Sequence, residues 1–102
     1  MRTFILTATL LLGACAGPQI PPPTAVQVTR AQARWPEVTG QSLAHGRNLY
    51  VSRCSGCHLL HAPSEHTADE WPVLVGKMAP RAHLDATERT LILRYLIAVA
   101  PP

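Results

Sequence analysis

A chain of 102 residues has room for one small domain, which excludes a multidomain enzyme and a multipass membrane protein. Its 9 Lys and Arg against 6 Asp and Glu leave a net charge of +3, and the basic residues form no stripe, so nucleic acid is a poor partner. Three Cys are an odd number, ruling out a disulfide framework that uses every thiol, and no apolar run reaches the ~20 residues of a membrane-spanning helix.

The chain opens with Met1-Arg2-Thr3, an apolar run from Phe4 to Leu12, and the small residues Gly13 and Ala14. One positive charge ahead of a short apolar stretch is the pattern of an export signal. Leu12-Gly13-Ala14-Cys15 resembles the lipobox of bacterial lipoproteins. That resemblance implies that residues 1–14 are removed, that Cys15 carries lipid as the first mature residue, and that the protein is anchored to the membrane. Ala16, where that family's inner-membrane members carry Asp, implies the outer membrane. Ala14-Cys15-Ala16 also fits the A-x-A rule for ordinary cleavage, which would cut after Ala16 and discard Cys15. Under both readings the mature protein works outside the cytoplasm, in the periplasm.

Residues 15–40 read as a Pro-rich tether. Pro21-Pro22-Pro23 favours polyproline II and opposes a regular helix or central strand. At ~3.1 Å per residue such a segment would hold a domain tens of ångströms from a membrane. Trp35 is its one large apolar residue and is a candidate to fold back onto the domain.

Residues 41–102 remain for the domain, near the lower limit for an unaided core, so a metal, disulfide or large cofactor is expected. No β-pattern is evident, and the fold class is all-α with about three helices. The first runs from about Ser42 to Arg53, with Leu43, Gly46, Leu49, Tyr50 and Cys54 near one face. The second starts near Asp69, with Trp71, Leu74, Val75 and Met78 at i, i+3, i+4 and i+7. Thr67 and Glu70 have capping-box spacing, although Pro72 delays the start, and Pro80 is expected to push Ala79 out of the helical region. The third starts at Asp85, with Glu88 placed to reach back to it, and carries Leu91, Ile92, Tyr95, Leu96 and Val99 before Pro101.

Cys54-Ser55-Gly56-Cys57-His58 is C-x-x-C-H, the pattern of covalent haem c attachment. Two thiols at this spacing add to the two porphyrin vinyl groups, and the adjoining His58 then ligates the iron. A zinc site lacks a second Cys pair, and His61 and His66 match no common finger spacing. A thioredoxin-like dithiol needs a βαβ frame that is absent from the pattern.

From about Gly40 onward the chain resembles the small class I c-type cytochromes with one haem. The resemblance rests on Gly46-Arg47-Asn48-Leu49-Tyr50 ahead of C-x-x-C-H, on the face with Leu91 and Tyr95-Leu96, and on the Met that follows. It implies a fold in which Gly46 permits close crossing of the first and last helices around one haem. The interval of twenty from His58 to Met78 is shorter than in many family members.

For the second iron ligand, His61 is held on the His58 side of the ring, and His45 points away from the Cys54 face. His66 and His83 lie on segments long enough to cross. Met78, on an apolar helical face beside a proline, is the best placed, with His83 as runner-up. His/Met ligation raises a haem potential and fills both axial sites, which suits electron transfer. The expectation is therefore a periplasmic electron carrier: Cys54 and Cys57 hold the haem, His58 and Met78 bind its iron, and redox proteins are its partners. The alternatives are a haem-based gas sensor, a small peroxidase, or a subunit of a larger dehydrogenase or oxidase. Arg53, Arg81 and Trp71 are weaker candidates for haem propionate contacts.

Overall fold

The computed structural model describes residues 19–56 and 60–102. The signal, Cys15, Cys57 and His58 lie outside the described residues. Within them the chain is all-helical: α1 spans Ala25–Arg34, α2 Gly40–Cys54, α3 Trp71–Met78 and α4 Ala86–Val99, with a short 3-10 turn at Pro63–Glu65.

Each long helix starts where a short polar side chain can serve an orphan amide. Asp85 accepts from the Glu88 amide at 2.7 Å, while Glu88 accepts from the Asp85 amide at 3.2 Å. Thr39 and Ser42 exchange the same pair of bonds at 3.0 Å each, so α2 begins two residues before the expected Ser42. Thr67 and Glu70 make a longer version of the box, and the helix proper follows at Trp71, with Pro72 in its first turn.

α2 and α4 form the centre of the fold. A Cβ on Gly46 would lie 2.1 Å from the Leu91 carbonyl oxygen and 3.1 Å from the Tyr95 Cβ, so the two backbones meet at this point. Ile92, Tyr95 and Leu96 of α4 are wholly buried there, with Tyr50, Trp71 and Val75 in the same cluster.

Two sequence expectations need correction. Residues 25–34, assigned to the tether, form α1, which begins at a capping box between Thr24 and Gln27. Ala31 of α1 is buried with Val38, Leu43 and Ala98 in a second small core, against which Trp35 packs. The proline run stops at Pro23, and nothing after it opposes a helix until Pro36. Ala79 also stays helical, at φ −53 and ψ −44, despite preceding Pro80. Its amide donates to the Val75 carbonyl at 2.8 Å and its side chain is buried, which together outweigh the preference that Pro80 imposes.

The turn after α3 ends at His83, the one described non-glycine residue with positive φ, at 54. The His83 amide donates to the Pro80 carbonyl at 3.3 Å and the Leu84 amide to the Ala79 carbonyl at 3.0 Å. This is the bond pattern of a Schellman motif with His83 in the left-handed position.

Candidate functional site

One cavity lies where the sequence places its chemistry. It measures about 210 Å³ and is lined by Cys54, Met78, Trp71, Leu74, Val75 and Leu84, with Tyr50, Leu60, His61 and His66 completing the wall. α2 brings Cys54 to it as its last residue, and α3 brings Met78 as its last residue. Both residues are half-buried. The i, i+3, i+4, i+7 face of α3 is what turns Trp71, Leu74, Val75 and Met78 together toward this space.

The segment after the C-x-x-C-H run is held by two hydrogen bonds. The Tyr50 hydroxyl donates to the His61 carbonyl at 2.6 Å, and the buried Trp71 Nε1 donates to the Pro63 carbonyl at 3.0 Å. Burial pushes the Tyr50 hydroxyl above its ordinary pKa, and the neighbouring Cys54 and Glu65 add to the shift, so it stays a donor. Trp71 is thus a core residue that also fixes the loop. The Tyr50 and Trp71 rings meet edge-on, with centroids 6.0 Å apart.

Two imidazoles stand at the cavity wall. His66 meets the Trp71 ring edge-on at 5.0 Å, and its Nδ1 faces Glu70 Oε2 at 3.1 Å. His61 repeats the arrangement with Glu65 at 3.2 Å. Glu65 also accepts from the Ala62 amide at 2.6 Å, which closes the 3-10 turn. The H-x-x-x-E spacing, present twice, was the readable signal for these pairings.

The other sequence candidates separate clearly. Met78 is on the wall, whereas His83 is exposed in its turn and does not line the cavity. His45 is exposed on α2 and also lies off the wall. Arg53 pairs with Glu88 at 2.7 Å, tying the end of α2 to the start of α4. Arg81 does not line the cavity. Among the described residues, no group of three or more His, Cys, Asp or Glu side chains is placed to hold a metal ion, and no helix is long and apolar enough to cross a membrane.

The described lining suits an apolar group that could be joined through the Cys54 thiol and met by the Met78 thioether. The wall is almost wholly hydrocarbon and aromatic, and it sets a thiol and a thioether on the same space. Its volume is below the ~300–1,000 Å³ of typical small-molecule pockets, so the described residues would enclose a larger group only in part.

Comparison with protein-family models, with curated proteins and with solved structures finds no match to this chain.

Proposed function

We propose that this protein is an exported, lipid-anchored electron carrier with one haem c, which Cys54 and Cys57 would hold and whose iron His58 and Met78 would bind. The observation that carries the reading is that α2 delivers the first Cys of C-x-x-C-H to an apolar cavity with Met78 on its wall. The close crossing of α2 and α4 at Gly46 supports a cytochrome c-like domain, as the sequence resemblance implies.

When bound, haem supplies a one-electron ferric/ferrous couple. The residues of the chain determine its setting. Leu60, Leu74, Val75 and Leu84 exclude water, which favours the less charged reduced state. The Met78 thioether, a soft ligand, favours ferrous iron. Tyr50 and Trp71 hold the His61 and Pro63 carbonyls in place, which would keep the segment after His58 in one position beside a bound haem.

A gas-sensing or peroxidatic haem needs iron free to take an outside ligand, and the Met78 thioether on the wall would compete for that place. Optical spectroscopy of wild type, Met78→Ala and Met78→His tests this. Wild type should show the near-infrared sulfur-to-iron band of ferric His/Met haem and resist carbon monoxide. Met78→Ala should admit carbon monoxide, and Met78→His should lower the potential. A missing band, with a visible spectrum unchanged by Met78→Ala, would rule out Met78 as the ligand.

A further inference from the structure

The leader ahead of α1 is fastened to the domain. Ile20 packs against the main core. Its carbonyl accepts from Arg47 Nε at 2.7 Å, and the next carbonyl, of Pro21, accepts from the Tyr95 hydroxyl. The Tyr95 ring is wholly buried, so its hydroxyl is a fixed post. Burial pushes that hydroxyl up to about 12, with Arg47 opposing the shift, and it remains a donor at any ordinary pH. Pro21, Pro22 and Pro23 have φ already set, so pinning them costs little chain entropy. Thr24 then caps α1.

Only Ala16, Gly17 and Pro18 separate Cys15 from Gln19. The five Cα–Cα steps from Cys15 to Ile20, of ~3.8 Å each, reach at most ~19 Å. A domain clamped from Ile20 onward therefore cannot stand tens of ångströms from a lipid-bearing Cys15.

α1 follows directly and offers a suitable face. It contains no acidic residue. Arg30 and Arg34, one turn apart, are exposed beside Val26, which is 69% exposed. By contrast, Arg53 and Arg94 are each paired with a glutamate. Among the described residues neither Arg30 nor Arg34 has a carboxylate partner.

We infer that residues 19–24 are a clamp and not a stalk, and that the domain lies flat on the bilayer with the Arg30 and Arg34 face of α1 against anionic headgroups. The inference rests on the reading of Cys15 as lipid-bearing.

Neutron reflectometry of the full-length mature protein on a phosphatidylethanolamine and phosphatidylglycerol bilayer tests it, with the intact mass of the same sample. The expected profile has protein density beginning at the headgroups, with no hydrated gap. Arg47→Gln with Tyr95→Phe, which removes both clamp bonds and keeps the ring, should open a gap. An acylated wild type standing off by about 20 Å or more overturns the inference alone. A mass without acyl groups overturns it together with the lipid-anchor reading. For the face, Arg30→Gln with Arg34→Gln on the Cys15→Ser background should weaken binding to phosphatidylglycerol vesicles about fivefold per arginine. Unchanged binding would remove α1 from the contact.

Discussion

Gly46 and Gly76 are both helical glycines, yet they stand in opposite circumstances. The missing Cβ of Gly46 is occupied by the backbone of Leu91, which cannot yield, whereas that of Gly76 would meet only the end of the Arg89 side chain at 3.2 Å. Gly46→Ala should therefore force α2 from α4 and cost about 3 kcal/mol or more. Gly76→Ala should be neutral or stabilising by up to ~1 kcal/mol, the ordinary helix preference for Ala. Thermal unfolding of the two variants checks the contrast, and equal effects would contradict the crossing described for Gly46. His83 poses a different question, because its left-handed φ of 54 costs a side chain something that glycine avoids. His83→Gly should raise stability by about 1 kcal/mol and leave the haem spectrum unchanged. A spectrum altered by that substitution would return His83 to the iron. The sequence alone made Met78 the better ligand by helical phase. It could not exclude His83, because the Schellman bonds that fix that turn are made by backbone amides and carry no side-chain signature.

The helices differ in how well their sequences announce them. α2, α3 and α4 were legible because apolar residues recur at helical spacing and polar caps precede them, as Asp85 and Glu88 do for α4. α1 was not, since it buries only Ala31 completely and half-buries Val28, which is too little apolar surface to make a periodic stripe. Its recognition depended on a Thr24–Gln27 capping box immediately after three prolines, where composition argued for an extended chain. The second core that α1 closes, with Val38, Leu43 and Ala98, makes residues 19–38 part of the domain. A chain beginning at Gly40 should consequently lose about 3 kcal/mol or more, from exposed Leu43 and the lost Ile20 and Val38 contacts. Chemical denaturation of the two holoproteins measures this. Equal midpoints would restore residues 19–38 to the role of a tether. The cavity was legible in outline, through Cys54 and Met78, but the arrival of His66 depends on the 3-10 turn at Pro63–Glu65, which no periodicity marks.

At the scale of the whole molecule, a large internal group would relieve a limit that small size imposes. A domain of this length buries little surface for its chain entropy, and here that surface is further divided between two clusters. A haem in the cavity beside Cys54 and Met78 would add apolar surface to the larger cluster. Charge points the same way. Loss of Arg2 with a cleaved signal would leave 8 basic and 6 acidic residues, or +2, which two haem propionates would bring near neutrality. Docking to redox partners should then depend on the surface around the open side of the cavity more than on long-range steering. All of this stands on covalent haem. The most direct measurement is the mass of the exported protein, produced with a haem-attachment system and denatured before analysis. The account predicts one haem mass retained on the chain, and none retained when Cys54 and Cys57 are both replaced by Ala. Haem that extracts from the denatured wild-type protein, or a chain that takes up none, would contradict it.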